Sequence, residues 1–227
     1  MSSNTSAKNF RDSEQVEQKI FRRDITYQEV QEQYDDWADY YDQTLDGKPK
    51  VYNTLMAYEE GMDTLFDATE KPNRRCLDLG AGTGLTGERL LKVGYTNIDG
   101  LEPNEKMADV CKKKGIFREF YVQPIGGDNP LKTPDNSYDA ICCAGSFAPG
   151  HIPCSAIPEI VRLLKPGGYF LNCMREEFIH DVPEYKDRLV PMFNDLEKQG
   201  LIKTVEWTVY PNHYIDKPGV RMVYQKL

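Results

Sequence analysis

From residue 75 onward, short apolar runs alternate with stretches whose apolar positions recur at helical spacing. That alternation is the pattern of βαβ units, in which parallel strands are covered on both faces by helices. Strands are predicted over residues 75–79, 97–102, 117–122, 138–144 and 168–174, and helices over 84–93, 104–113 and 155–164. Lys165-Pro166-Gly167-Gly168 reads as a helix stop followed by a tight turn. Beyond it the pattern predicts a charged helix over 185–199 with Gly200 as C-cap, strands over 202–210 and 220–225, and a hairpin loop over 211–219. The expected fold is therefore α/β, a three-layer sandwich around a seven-stranded, mainly parallel sheet with an antiparallel last strand.

Ahead of this region, a predicted helix over 27–45 places Val30, Tyr34, Trp37 and Tyr41 on one face. A second, over 52–66, offers Leu55, Met56, Met62, Leu65 and Phe66 for burial before Pro72 ends the segment. Residues 1 to about 20 carry Ser, Asn, Lys and Glu without strong periodicity and read as a frayed arm or a loosely attached helix, so 1–24 is expected to be a flexible arm. Nothing inside the remaining chain reads as a linker, so 25–227 is expected to be one domain that begins with helices.

A formal net charge of −8 opposes sequence-independent binding to a phosphate backbone, so a nucleic-acid partner is disfavoured. No apolar run approaches the roughly 18 to 20 residues that span a bilayer, and the first residues lack a hydrophobic signal core. A cytoplasmic monomer is the expectation. Cys76, Cys111, Cys142, Cys143, Cys154 and Cys173 show neither paired spacing nor a zinc-ligand pattern, so they read as reduced, mostly buried thiols and no metal site is expected.

The strongest chemical signal is Cys76-Leu77-Asp78-Leu79-Gly80-Ala81-Gly82-Thr83-Gly84, a strand running into alternating glycines and then a helix. Glycine suits a turn that a ligand must approach closely. Glu102 ends the second strand, where a carboxylate can accept hydrogen bonds from both hydroxyls of a ribose. Gly82-Thr83-Gly84-Leu85-Thr86-Gly87 also satisfies the dinucleotide pattern, so a nicotinamide-dependent oxidoreductase competes. Asp78 decides against it: a pyrophosphate at this turn would meet like charge, whereas the ammonium and sulfonium of S-adenosylmethionine are attracted by an acid.

These motifs, with Leu164 to Gly168 before the fifth strand, resemble the Rossmann-like class I methyltransferases. Tyr34-Asp35-Asp36-Trp37-Ala38-Asp39-Tyr40-Tyr41-Asp42 and Pro153-Cys154-Ser155-Ala156-Ile157-Pro158-Glu159 resemble the methyltransferase-like protein 27 group in particular. The resemblance implies S-adenosylmethionine as cofactor, with Gly80, Ala81, Gly82 and Thr83 around the methionine moiety and Glu102 on the ribose. It also implies Pro103 and Met107 beside the adenine, and Pro124 and Ile125 at its edge, where the family's acid is missing and Asp128 follows slightly later. Ala144, at the end of the fourth strand, belongs to the same expected set, and Trp37 and Tyr41 are expected either to close over the cofactor or to pack in the core.

The loop Ala144-Gly145-Ser146-Phe147-Ala148-Pro149-Gly150-His151 should lie at the carboxyl end of the sheet, where open α/β folds bind ligands, and is the acceptor-site candidate. It lacks the Asn-Pro-Pro-Tyr motif of amino-methylating nucleic-acid enzymes. His151 is the candidate general base, although in-line methyl transfer depends chiefly on alignment. The expected activity is methyl transfer to a small-molecule or protein acceptor; a protein that binds the cofactor without catalysis is the alternative.

Overall fold

The computed structural model describes residues 19–46 and 52–227. Strands β1 (Arg75–Leu79), β2 (Asn97–Leu101), β3 (Phe120–Tyr121), β4 (Tyr138–Ala144), β5 (Leu164–Arg175), β6 (Ile202–Tyr214) and β7 (Lys217–Lys226) form one seven-stranded sheet in the order β3-β2-β1-β4-β5-β7-β6. The β1–β5 pairings are parallel, and β7 runs antiparallel between β5 and β6. The chain thus has the expected Rossmann-like α/β fold.

β1 and β4 match their predicted spans because each is a mainly apolar run buried on both faces, interrupted only by Asp78 in β1 and Asp139 in β4 beyond the half-buried Arg75 that opens β1. Alternate residues feed different cores. Leu77, Leu79, Ile141 and Cys143 join the core on one face, while Cys76, Ala140, Cys142 and Ala144 join the other. Helices α6 (Ile157–Leu163), α7 (Phe178–Asp181) and α8 (Leu189–Lys198) cover the first face through Ile160, Phe178 and Phe193. Helices α3 (Thr54–Thr64) and α4 (Leu85–Lys92) cover the second through Tyr58, Met62 and Leu90. Helix α5 (Glu105–Lys113) follows β2 and is N-capped by Asn104, whose side chain accepts from Met107 N–H.

Several expected boundaries move. The turn expected at 165–168 lies within β5: Tyr138 pairs with Leu164 and Ala140 with Tyr169, so the intervening residues form a bulge, not a strand boundary. The hairpin loop expected over 211–219 shrinks because β6 continues to Tyr214 and β7 starts at Lys217. Pro211 is tolerated there because β6 is the edge strand.

The helix expected over 27–45 is broken into α1 (Tyr27–Trp37), a 3-10 turn (Ala38–Tyr40) and α2 (Tyr41–Leu45). Thr26 and Glu29 start α1 as a reciprocal capping box. The arm expected over 1–24 falls largely outside the described residues, and its described end is not free. Ile20 is fully buried, Phe21 packs edge-on against Tyr214, and Arg23 pairs with Glu177 and Asp181. Together with Trp37, Leu45, Tyr52, Leu55 and Leu85, Ile20 and Tyr214 make a third core that seats the N-terminal helices on the sheet.

Candidate functional site

The strand order reverses between β1 and β4, and ligands of open α/β sheets bind at the carboxyl ends of strands at such a switch point. A cavity of about 520 Å3 lies there, within the roughly 300 to 1,000 Å3 usual for small-molecule sites.

Its floor is the glycine turn after β1. Gly80, Gly82 and Gly84 all have positive φ, at 68°, 55° and 95°. Gly80 also passes close to the Ser146 side chain, whose space any added Cβ would enter. The N–H groups of Gly80 and Ala81 donate to Leu101 O at 2.8 and 3.0 Å, which fastens the turn to the end of β2. Beside it Glu102, 7 % exposed, accepts from Gly82 N–H at 3.0 Å through Oε2 and from Asn104 N–H at 2.8 Å through Oε1. Burial raises its pKa to about 7 against the opposing effect of those two backbone donors. Each carboxylate oxygen retains a lone pair for a further donor.

Met107, Pro103 and Ile125 supply apolar wall around Glu102, with Pro124 and Gly126 beyond them. Asn129, not Asp128, lines the cavity where the missing acid was sought. Ala144, Gly145, Ser146 and His151 form the side under β4, as expected of that loop. Tyr41 also lines the cavity, joined by Tyr27, Gln31 and Tyr34 of α1, which form its roof.

Four of the expected residues lie off the cavity wall. Asp78 is fully buried behind the turn and outside the cavity wall, where its carboxylate accepts from Thr86 Oγ1 at 2.5 Å and Tyr58 OH at 3.4 Å. Desolvation lifts its pKa to about 7 against the opposing effect of those two hydrogen bonds. Ala81 and Thr83 also lie off the wall; the buried Thr83 donates from Oγ1 to Asp42, whose other oxygen accepts from Lys114 Nζ at 2.7 Å. Trp37 is 1 % exposed in the third core, stacked on Tyr34 at 6.0 Å between centroids with planes 3° apart, its Nε1–H donating to Thr44. Its side chain packs in that core, while Tyr34 and Tyr41 of the same predicted face reach the cavity.

Tyr34 Oη lies 2.8 Å from His151 Nε2, and His151 Nδ1 lies 2.7 Å from Pro149 O. Because a carbonyl only accepts, Nδ1 carries the proton and Nε2 accepts from the Tyr34 hydroxyl. Burial pushes the His151 pKa down to about 4, so the ring is neutral near pH 7. Glu184 and Tyr185 reach the same end of the cavity, and nothing in their local sequence signalled it. Tyr185 OH donates to the carbonyls of Ala148 and Ile152, which holds the loop after β4 in place.

Among the described residues that line the cavity there is no Lys or Arg to meet a pyrophosphate. A glycine turn, a buried carboxylate and apolar walls, on this sheet, suit a cationic nucleoside ligand such as the cofactor of S-adenosylmethionine-dependent methyltransferases. Residues 77–172 match the methyltransferase domain family. The chain is 30% identical over 179 residues to human methyltransferase-like protein 27, covering 78% of this chain and 69% of that protein. A chain from the complex between the Haloferax volcanii Trm112 methyltransferase activator and a methyltransferase shares the fold at TM-score 0.63 and 18% identity, covering 85% of this chain and 97% of that one. A SAM-dependent methyltransferase from Aquifex aeolicus does so at TM-score 0.55 and 19% identity, with the same coverages of 85% and 97%. The chain belongs to the methyltransferase-like protein 27 family of S-adenosylmethionine-dependent methyltransferases.

Proposed function

We propose that the cavity holds S-adenosylmethionine with its ribose on Glu102, its methionine moiety over Gly80 and Gly82, and its adenine among Pro103, Met107 and Ile125, and that a small molecule or protein side chain is methylated beside it. The single observation that carries this reading is the shared carboxylate of Glu102, hydrogen-bonded at once to the glycine turn and to the start of α5 while still facing the cavity. When bound, the cofactor supplies a methyl group on a cationic sulfur. The protein aligns the acceptor with it under the roof made by Tyr27, Gln31, Tyr34 and Tyr41. Such enclosure favours an acceptor that enters the cavity over a long nucleic acid, and the charge of −8 acts in the same direction.

We take a monomer as the working unit. Six buried free thiols suit a reducing compartment such as the cytoplasm. Among the described residues no helix is long and apolar enough to cross a membrane.

Calorimetry with S-adenosylmethionine, S-adenosylhomocysteine and NADH tests the cofactor. Incubation with methyl-labelled cofactor and fractionated cell extract, followed by mass analysis, tests the transfer. Binding of the two adenosyl ligands alone, with label passing to an extract component, is the expected result. Tight binding with no labelled product from any fraction would turn the reading to a non-catalytic cofactor sensor.

A further inference from the structure

The acceptor end of the cavity has a polarity of its own, set by groups that the cofactor does not need. Glu184 already has a counter-charge there: its Oε2 pairs with Arg188 at 2.9 Å, while its Oε1 accepts from Cys154 N–H at 2.8 Å. The other carboxylate in the wall, Glu102, stands at the ribose end. With no Lys or Arg in the described wall, no cation faces an anionic acceptor, and the carboxylate at this end already has Arg188 as counter-charge and so favours an ammonium group less than an unpaired acid would.

Among the neutral polar groups of the wall, Tyr34 and His151 are joined to each other. The Tyr34 hydroxyl gives its proton to Nε2, and the opposite ring nitrogen is committed to Pro149 O, so towards the cavity Tyr34 offers only oxygen lone pairs. A partner there must itself carry a donor hydrogen. Tyr34 is held in place by its stack on Trp37 and its edge contact to His151, with ring centroids 5.5 Å apart.

Building on the cofactor reading above, we infer that the acceptor is an uncharged small molecule bearing a hydroxyl group, and that Tyr34 and His151 carry its proton away during methyl transfer. A lone pair of the acceptor oxygen forms the O–C bond while the C–S bond breaks, leaving its electron pair on sulfur. The acceptor proton passes to Tyr34 Oη, and the proton of Tyr34 passes to His151 Nε2. One positive charge is lost at sulfur and one appears on the imidazole, so the chamber's net charge does not change. A neutral imidazole before reaction also avoids repelling the sulfonium, and burial keeps His151 neutral. Hydroxyl is the nucleophile for which this relay matters: a free amine attacks first and sheds its proton afterwards, and a thiol ionises near neutral pH unaided.

The test uses phenol, benzoate and benzylammonium as probes of one shape and different charge. On protein saturated with S-adenosylhomocysteine, calorimetry should show phenol binding, with the two ions at least about tenfold weaker. Nitrogen-15 NMR of the His151 ring should show Nδ1 protonated and Nε2 accepting. With labelled S-adenosylmethionine, phenol should yield its methyl ether. Tyr34→Phe, which keeps the stacked ring, and His151→Gln should each lower that turnover about a hundredfold while S-adenosylhomocysteine affinity stays near wild type. Equal binding of either ion, an unprotonated Nδ1, undiminished turnover by Tyr34→Phe, or no methyl ether at saturating phenol would each overturn the inference. Failure of the wild-type protein to bind S-adenosylhomocysteine would instead remove the cofactor reading on which it rests.

Discussion

Gly82 and Glu102, 20 residues apart in the chain, are joined by a hydrogen bond of 3.0 Å from the Gly82 N–H to Glu102 Oε2. The turn and the acid are therefore one unit, in which the carboxylate orders the loop and the loop orients the carboxylate. Glu102→Ala should lose a charge-assisted pair of ligand hydrogen bonds and loosen the turn, weakening S-adenosylhomocysteine by about 1.5 to 3 kcal/mol. Calorimetry checks this, and unchanged affinity would place the ribose elsewhere.

The same carboxylate predicts a pH dependence. Its pKa is raised to about 7 by burial, so the ionised form that accepts best from ribose hydroxyls is depleted as pH falls through 7. S-adenosylhomocysteine affinity should be up to about tenfold weaker at pH 6 than at pH 8. Glu102→Gln, which cannot ionise, should bind more weakly at pH 8 and flatten the profile; a profile identical to wild type would assign the titration to another group.

Asp78 affects stability instead. Its pKa is also raised to about 7, so the folded state binds a proton more readily than the unfolded chain. That stabilisation is complete below pH 4 or so and is lost as pH rises through 7. Asp78→Asn, still beside Thr86 and Tyr58, should gain on the order of 1 to 3 kcal/mol over wild type at pH 8, shrinking towards pH 5. Urea unfolding at both pH values measures it, and a gain that grows as pH falls would reverse the assignment.

Trp37→Ala removes the largest side chain of the third core and should cost about 3 to 5 kcal/mol of unfolding free energy. At temperatures where the variant is folded, S-adenosylhomocysteine affinity should change little, since the indole lies outside the cavity wall. A selective loss of affinity with stability intact would return Trp37 to the ligand.

The contact of Thr83 with Asp42, reinforced by Lys114, ties α2 to the glycine turn, and Asn104 Nδ2 ties α1 to the start of α5 by donating to Gln31 O and Asp35 Oδ1. Ligand that orders the turn should therefore slow amide hydrogen exchange in residues 34–42. Asp42→Asn should weaken this coupling by about 0.5 to 1 kcal/mol, the scale of a partly exposed pair. Equal exchange with and without S-adenosylhomocysteine would show the helices to be a static roof.

The sequence by itself determined the parallel core, the glycine turn and the acid after β2, because each is encoded locally. A strand buried on both faces is a mainly apolar run, and a left-handed turn under a ligand calls for glycine. It also marked Val30, Tyr34, Trp37 and Tyr41 as sharing one face of a helix. Only the tertiary structure decided what that face meets: Trp37 enters the third core while Tyr34 reaches His151, 117 residues away. The same holds for Asp78, whose strand position was legible but whose carboxylate is turned to Thr86 and Tyr58, and for Glu184 and Tyr185, which reach the cavity from the segment between α7 and α8. Periodicity specifies which side chains point together, whereas the partner of a buried side chain depends on how distant elements pack, and no spacing along the chain records it.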